Sequence, residues 1–473
     1  MSDLYSKLLQ DPLHFHNACY DEGFRLTREQ IDEIQLQGIR KRFGELRSNL
    51  PVLGKLAAEQ DINEIRTIDD VAPLLFPHTV YKSYPMSYFE KSRFDKLTKW
   101  LSGLTTFDLS NVDATGIDTI DDWLDLLDRE TPLLVSHTSG TTGKLSFVPR
   151  SKEQWRQGIV HSGCMLRHWW GPDSGPDMAN ENRPLIIPGY RYGGSATQRA
   201  NDFMIEMFAG SEDNALFMYP NSRFSADVVS LAGRLRAAEA RGEQGMLEIS
   251  PALLKRREEL LELEKRRPQD LQNFFDTART KFGGKDVYIA GVWTMLYDWA
   301  EEGLKQGHSG IFGKGSVLFS GGGKKGKALP DNYREVIKEF LGFDTSYEMY
   351  AVSEQMGYCI MCEAGHYHVP PVIVPILLDP ETGALLPRED GTTGRLGMLD
   401  LMPNTYWAGL VTGDEVTWSG WQKPCSCGRT GTFLHDGIRR YGDKEGGDDR
   451  LVCAGAPEAH DQALAFLAEL SSM

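Results

Sequence analysis

The residues from Thr138 to Lys144 combine small, hydroxyl-bearing and basic side chains in an order suited to binding phosphate. They follow an apolar run at 131–137, which predicts a short strand leading into a loop. Glycines let backbone N–H groups approach phosphate oxygens, hydroxyls add donors, and the lysine adds positive charge. Two residues separate Gly140 from Gly143, whereas a Walker A loop has four, so this is a different loop. A flexible polar turn is the alternative.

Cysteine and histidine form a second chemical pattern. One segment runs from Cys359 to His368, and Cys425-Ser-Cys427 follows later in the chain. Thiolates and imidazoles are ligands of tetrahedral Zn²⁺, and four protein ligands would make the site structural, with no open position for chemistry. The alternative is a set of buried thiols with histidines that cap a turn. The preferred ligands are Cys362, His368, Cys425 and Cys427, with Cys359 or His366 as substitutes.

Helical and extended patterns surround these motifs. Thr27 is the predicted cap of a helix over 28–43, and residues 120–127 repeat apolar side chains at helical spacing. A charged helix is predicted at 253–282, with its second part beginning at Pro268. Further runs that predict buried strands are 183–195, 286–293 and 315–323. Their alternation with helices is typical of an α/β sheet.

Composition narrows the classes of partner. The chain has 67 acidic and 51 basic residues, a net charge of −16, which disfavours phosphate backbones and anionic lipid as partners. The amino terminus lacks a basic stretch followed by an apolar run, and the most apolar window, 370–378, is broken by Pro375. We therefore expect a cytoplasmic protein without a signal peptide or membrane span. Seven cysteines fit thiols or metal ligands better than a disulfide scaffold.

Four later motifs follow the loop in order: Ser320-Gly321-Gly322-Gly323, Tyr350-Ala351-Val352-Ser353-Glu354, Thr412-Gly413-Asp414 and Gly428-Arg429. Together with Thr138–Lys144, this order resembles the adenylate-forming superfamily, which includes acyl-CoA synthetases, peptide-synthetase adenylation domains and firefly-type luciferases. The departures are mild. Leu145-Ser146 replaces the usual Pro-Lys after the loop, and Ala351 and Ser353 replace glycine and threonine.

The resemblance implies a role for each motif. It implies that Tyr350 stacks on adenine, that Glu354 holds Mg²⁺, and that Asp414 accepts hydrogen bonds from the ribose hydroxyls. The implied ATP-binding residues are Thr138, Ser139, Gly140, Thr141, Thr142, Gly143, Lys144, Gly321, Gly322, Gly323, Tyr350, Ala351, Ser353, Asp414 and Arg429. The catalytic candidates are Lys144, Glu354 and Thr142. The expected reaction is ATP-dependent activation of a carboxylic acid to its acyl-AMP with release of pyrophosphate.

The acyl pocket of this superfamily lies between the turn after the second strand and the segment before the adenine turn. By position, its residues here are Tyr190, Tyr192, Gly193, Gly194, Ala290, Gly291, Val292 and Trp293. Aromatic walls with glycines favour a flat aryl acid, such as a benzoate, although tyrosine and tryptophan are also ordinary core residues. The acceptor of the acyl group is CoA or a second small molecule that supplies a thiol, hydroxyl or amine.

The cysteine cluster before Gly428-Arg429 is similar to one in the phenylacetate–CoA ligase and acyl-protein synthetase branch. Family members usually continue into a small mobile domain that carries the adenylation lysine, but only a short segment follows Arg429. We expect that domain to be absent or vestigial, and Lys144 and Lys444 are candidates for the lysine by charge alone. In acyl-protein synthetases the acyl group passes to a cysteine near the carboxy terminus, and Cys453 lies in a comparable place.

The sequence thus predicts an α/β fold: a large adenylate-forming domain of several subdomains, with mixed sheets flanked by helices and a small β-rich subdomain. The predicted parts are a helical 1–130, an α/β core at 131–369, a β-rich subdomain with the zinc site at 370–440, and a tail with a short helix at 441–473. A homo-oligomer is compatible with the sequence. Two rival functions are a phosphotransferase that releases ADP and a non-catalytic protein that binds zinc and nucleotide.

Overall fold

The computed structural model describes residues 24–138, 144–167, 169, 181–242, 249–321, 329–441 and 463–467. The α-helices are α1 (Arg28–Leu46), α2 (Pro51–Glu59), α3 (Ser87–Glu90), α4 (Phe94–Leu101), α5 (Ile120–Glu130), α6 (Lys152–Arg167), α7 (Ala196–Met204), α8 (Ala226–Arg241), α9 (Pro251–Thr280), α10 (Trp293–Lys305) and α11 (Tyr333–Leu341). The strands are β1 (Phe76–Pro77), β2 (Ser136–His137), β3 (Phe147–Val148), β4 (Leu185–Gly193), β5 (Ala215–Phe224), β6 (Tyr288–Gly291), β7 (Val317–Gly321), β8 (Ser346–Tyr350), β9 (Cys359–Met361), β10 (His366–His368), β11 (Ile373–Leu378), β12 (Thr392–Asp400), β13 (Gly409–Ser419), β14 (Phe433–His435) and β15 (Arg439–Arg440).

Parallel strands form one half of a continuous sheet, in the order β5-β4-β6-β7-β8. Helix α10 lies between β6 and β7 in sequence, and α11 lies between β7 and β8. Both faces of this half are covered, since Tyr288 and Ile289 of β6 enter separate apolar clusters. Burial on both faces explains why these strands are near-continuous apolar runs in the sequence.

The other half is mainly antiparallel and continues from β8 in the order β9-β10-β14-β13-β12-β11. Beside β13 lie β15, which is antiparallel to it, and the two-residue β1, which is parallel to it. Helices α1 and α2 pack on this half. Ile34 and Phe43 of α1 share one apolar cluster with Val374 and Leu399 of the strands. The amino-terminal helices and the β-rich part therefore share one core. The boundary predicted at residue 130 stays a prediction.

Two predicted helices begin where their capping residues indicate. The Thr27 hydroxyl accepts from the backbone N–H of Gln30 at 3.3 Å, and the Gln30 side chain accepts from the N–H of Thr27 at 2.8 Å. This reciprocal pair is a capping box, and it satisfies donors that helix α1 would otherwise leave unpaired. Helix α5 begins after Thr119, whose hydroxyl accepts from the N–H of Asp122 at 3.1 Å.

Two local predictions differ from the structure. The predicted strand at 131–137 is regular only at β2, with an isolated bridge from Leu133 to Ser151 before it. Helix α9 is continuous, with Pro268 inside it, so the predicted new start there is wrong. Proline removes one backbone hydrogen bond, but the following turns are anchored by the buried Phe274 and Phe275.

The predicted α/β class is confirmed, with helices flanking a large mixed sheet. Within the described residues, no helix combines the length and the apolar composition needed to cross a membrane.

Candidate functional site

The carboxyl ends of the parallel strands gather most of the sequence motifs. Strand β4 ends at Gly193, β6 at Gly291, β7 at Gly321 and β8 at Tyr350. Because parallel strands share a direction, these positions lie along one edge of the sheet. This is the edge at which open α/β sheets bind ligands.

The phosphate loop is held against that edge by its stem. Strands β2 and β3 form an antiparallel pair, and the backbone N–H of Thr138 donates to the Ser146 carbonyl at 3.0 Å. The N–H of His137 donates to the carbonyl of Gly194, the residue after β4, at 2.9 Å. A Cβ at Gly194 would lie 2.9 Å from the His137 ring and 2.6 Å from Leu124, so this close approach requires glycine. The loop residues Ser139, Gly140, Thr141, Thr142 and Gly143 lie outside the described residues.

Lys144 lies where the loop returns to its stem. Its Nζ is 5.2 Å from the centroid of the Tyr84 ring. The Tyr84 hydroxyl donates to the carbonyl of Leu145 at 2.7 Å, which fixes the backbone next to the lysine. Partial burial, followed by the charge of Lys82, lowers the pKa of Lys144. The two lysines thus make a positive region at the stem. A bound polyphosphate would reduce the repulsion between their charges.

A hydrogen bond joins the two halves of the sheet at this edge. The Tyr350 hydroxyl donates to Oδ2 of Asp414 at 2.7 Å. Burial, and then the nearby Asp414 carboxylate, raise the pKa of Tyr350 well above its usual value. Asp414 is 5% exposed, its own N–H donates to the Thr412 hydroxyl at 3.1 Å, and Arg440 lies 3.3 Å from its Oδ1. The residues that the resemblance assigns to adenine and ribose are therefore in contact.

Glu354 lies in the loop after β8 and is 8% exposed. Burial raises the pKa of its carboxyl group, while the charges of Arg440, Lys82 and Arg150 act in the opposite direction. A buried carboxylate with a raised pKa becomes more stable in its ionised form when a cation binds beside it. Ala351, which precedes it in the same motif, is exposed. Of the glycine motif before it, Gly321 ends β7, whereas Gly322 and Gly323 lie outside the described residues.

The structure does not bring Arg429 to Asp414. Its guanidinium lies 4.4 Å from the Trp169 ring centroid, donates to the Trp169 carbonyl, and pairs with Glu363 at 2.9 Å. Arg440 occupies the position beside the ribose-binding candidate instead, because β15 pairs with β13 in a register that sets it opposite Asp414.

The residues predicted for the acyl pocket divide into two groups. Tyr190 and Trp293 are core residues, 4% and 3% exposed, with Tyr190 packed against Tyr219 at 4.8 Å. Tyr192 is 52% exposed at the end of β4. Gly193, Gly194, Ala290, Gly291 and Val292 continue along the same edge.

The four preferred zinc ligands come together from two segments. Their ligand atoms, on Cys362, His368, Cys425 and Cys427, all lie within 4.8 Å of one another. The β9–β10 hairpin supplies the first two, and a turn closed by the N–H of Gly428 on the Cys425 carbonyl supplies the others. Hydrogen bonding from Cys362, and then from His368, lowers the pKa of Cys427.

The spacing of these atoms fits a tetrahedral zinc ion. Zn–S bonds of about 2.3 Å imply sulfur atoms about 3.8 Å apart at the corners of a tetrahedron. The sulfurs of Cys362 and Cys425 are 3.8 Å apart, and Cys427 is 3.4 Å from Nε2 of His368. Of the substitutes, His366 places Nδ1 3.1 Å from the Cys425 sulfur, whereas Cys359 is buried in a different apolar cluster.

Comparison with solved structures identifies the fold. An open conformation of 2-hydroxyisobutyryl-CoA ligase in complex with 2-HIB-AMP and CoA is similar with a TM-score of 0.51 and 13% identity, over 90% of this chain and 78% of that one. The same ligase in its thioesterification state gives a TM-score of 0.52 and 14% identity, over 89% of this chain and 71% of that one. The chain shares the fold of this CoA ligase. No protein-family model matches the sequence, and no curated protein matches it.

Several residues that surround the motifs could not be predicted from the sequence. Arg150, Lys82 and Arg440 act on Glu354 from three separate elements, and no local pattern marks them. Asp400 is different, because it is a single carboxylate within the apolar run 396–402. A lone acid in a buried strand indicates a specific partner, so the sequence itself marks Asp400.

Proposed function

We propose that this protein activates a carboxylic acid with ATP, forming the acyl-AMP and releasing pyrophosphate. The observation that carries the proposal is the 2.7 Å hydrogen bond between Tyr350 and Asp414. It joins the adenine and ribose candidates at the same sheet edge that holds the stem of the phosphate loop. This contact, and a fold shared with a CoA ligase solved with 2-HIB-AMP and CoA, support adenylation over simple phosphate transfer.

In this reaction an oxygen of the acid attacks the α-phosphorus of ATP. A bond forms between them, and the bond from that phosphorus to the bridging oxygen of pyrophosphate breaks. The protein contributes little covalent chemistry. It acts by positioning the acid and ATP and by neutralising charge on the phosphates. Lys144, with Lys82 nearby, would face the β- and γ-phosphates, and Asp414 would accept from the ribose. Tyr350, anchored through its hydroxyl, would present its ring to adenine.

Glu354 is the residue that would hold Mg²⁺. A single protein carboxylate, completed by phosphate oxygens and water, is a common way to bind this cation. The buried position and raised pKa of Glu354 fit that role. When bound, Mg²⁺ neutralises charge on the phosphates.

We further propose an aryl, benzoate-like acid as substrate. Tyr192 presents an exposed aromatic ring at the end of β4, on the same edge of the sheet, which supports a flat substrate. The second step passes the acyl group to CoA or to the thiol, hydroxyl or amine of a small molecule. The acyl-protein synthetase alternative depends on Cys453, which lies outside the described residues, as does Lys444.

The test incubates the protein with ATP, Mg²⁺ and a panel of aryl and fatty acids, with hydroxylamine present to trap activated acyl groups. Acid-dependent AMP and pyrophosphate, with a hydroxamate of one acid class, are expected. Glu354→Gln should lower the rate at least about 100-fold, the cost typical of losing one charge-stabilising group. ADP as product would support the phosphotransferase. Bound nucleotide without turnover would support a non-catalytic protein.

We also propose a structural Zn²⁺ held by Cys362, His368, Cys425 and Cys427. Two donor-atom distances that match a tetrahedral site, and the approach of all four donors to within 4.8 Å, support it. Since all four ligands come from the protein, the ion would stabilise the antiparallel half rather than take part in adenylation.

A further inference from the structure

The backbone on either side of Glu354 is bound by buried side chains from distant elements. On one side is Arg150, 3% exposed, which follows β3 in the hairpin of the phosphate loop. Its Nη2 donates to the carbonyls of Ser353 at 3.1 Å and Gln355 at 2.5 Å. The guanidinium also lies 4.1 Å from the centroid of the Trp155 ring, which holds it in place.

On the other side is Asp400, 1% exposed, at the end of β12 in the antiparallel half. Its Oδ2 accepts from the N–H groups of Met356 at 2.6 Å and Gly357 at 2.8 Å. Its Oδ1 accepts from the N–H of Met402 at 2.9 Å, so the carboxylate is itself fixed. A Cβ at Gly357 would lie 2.9 Å from Ile373, which shows how closely the loop meets this half.

The contacts of Arg150 and Asp400 are hydrogen bonds to charged side chains, which are strong. Hydrogen bonds to ionised groups are shorter and stronger than neutral ones, and a buried partner left unpaired is costly. Burial raises the pKa of Asp400, while its three backbone donors, and then Arg150, lower it. A third buried side chain, Tyr406, donates to the Glu354 carbonyl itself at 3.0 Å.

We propose that Arg150 and Asp400 are positioning residues that fix the Glu354 carboxylate for its cation. The inference rests on the proposed function, which gives Glu354 its metal role. With the backbone held from residue 353 to residue 357, only the torsions of the Glu354 side chain remain to place its oxygens. The two residues also tie the phosphate-loop hairpin and the antiparallel half to the same five-residue segment.

The test measures Mn²⁺ binding in place of turnover. Water proton relaxation reports the Mn²⁺ concentration that half-saturates the protein in the presence of a non-hydrolysable ATP analogue. Asp400→Asn and Arg150→Lys should each raise that concentration about 10-fold or more, since losing an outer partner of a metal ligand typically costs 10- to 100-fold. In the Glu354→Gln background, Asp400→Asn should produce no further increase, because the group that it positions is gone.

Two controls separate positioning from general destabilisation. Asp390→Asn alters a carboxylate that also accepts several backbone N–H groups, from Gly420 to Gln422, away from Glu354. Arg40→Lys alters an arginine that donates to two backbone carbonyls, those of residues 65 and 66. Both controls should leave Mn²⁺ binding unchanged, whatever their effect on Tm.

Two outcomes would overturn the inference, and they differ. If Glu354→Gln weakens Mn²⁺ binding but Asp400→Asn and Arg150→Lys lower only Tm, the two residues are merely structural and the proposed function stands. If Glu354→Gln itself leaves Mn²⁺ binding unchanged, the metal role of Glu354 fails and the inference fails with it. Arg150→Lys keeps the charge and a donor, so it provides a folded variant even if Asp400→Asn does not fold.

Discussion

The parallel half of the sheet places its candidate residues differently from the antiparallel half. In the parallel half, Gly193, Gly291 and Tyr350 each stand at the end of a strand, so the strand direction alone puts them at one edge. In the antiparallel half, the Cys362–Cys425 contact and the contact from Asp414 to Tyr350 join segments far apart in sequence. The first arrangement depends on local strand formation, and the second on the whole half being folded.

This difference predicts where each half is vulnerable. A parallel strand that is buried on both faces is held by packing against two layers. The antiparallel half includes three strands of only three residues, β9, β10 and β14, which lie next to the metal cluster. Strands this short need additional cross-links for their stability, and zinc would supply one.

Removing a zinc ligand should have the largest effect. Cys425→Ser is expected to abolish zinc binding and to unfold the antiparallel half, because structural zinc contributes directly to folding free energy. Zinc content by mass spectrometry and Tm measure this. Cys359→Ala is the matched control, since Cys359 lies in another apolar cluster and the variant should retain zinc. A purified protein without zinc, whose Tm is unaffected by chelators, would contradict the prediction.

Loss of the contact between the halves should have the next largest effect. Asp414→Ala removes the acceptor of the Tyr350 hydroxyl and the proposed ribose contact. We expect the KM for ATP to rise about 10-fold or more, the cost of one or two hydrogen bonds to a charged group. The variant should also lose the preference of the wild type for ATP over 2′-deoxy-ATP.

Glu415→Ala is the control for the ribose test, because Glu415 is the next residue on the same strand and faces the opposite side. It should keep both the KM and the preference. An Asp414→Ala variant that still distinguishes the two nucleotides would exclude Asp414 as the ribose-binding group.

What the sequence could predict follows the same division. The order of motifs from Thr138 to Asp414 predicted the fold, and the thiol and imidazole chemistry predicted the cluster that the structure assembles. Arg429 illustrates the limit. Its motif is present, but the side chain lies against Trp169, and Arg440 lies beside Asp414 because of strand register. Register between distant strands depends on tertiary packing, which a local motif does not contain.

Two carboxylates in the parallel half, the buried Asp121 and the half-buried Asp227, test whether that half is purely local. Asp227, in the first turn of α8, accepts from the backbone N–H groups of Ile120 at 2.9 Å and Asp121 at 3.0 Å, in the first turn of α5. In the reciprocal contact, Asp121 accepts from the backbone N–H of Ala226, at the start of α8, at 3.0 Å. Each helix start is therefore capped by an acid from the other, a long-range dependence in the half where strands set the positions.

The pH dependence of the free energy of unfolding reports the contribution of this pair to stability. We expect this effect to be the smallest of those predicted here. Burial, and then the charge of Asp121, raise the pKa of Asp227 to about 7, against the opposing contacts of Ile120, Asp121 and Arg256. A raised folded-state pKa means that the folded protein holds this proton more tightly than the unfolded chain. Its stabilising contribution is therefore complete below about pH 4 and is lost as the pH rises through 7.

Between pH 6 and pH 8, the free energy of unfolding of the wild type should fall by about 1 kcal/mol relative to Asp227→Asn, which cannot ionise. Urea unfolding at the two pH values gives this difference. The comparison with a variant is needed because burial lowers the pKa of His137 to about 4, which acts on stability in the opposite direction. Asp276→Asn, on the exposed face of α9, supplies the baseline. Equal pH dependence in the wild type and Asp227→Asn would mean that Asp227 does not titrate between these pH values, which would contradict the prediction.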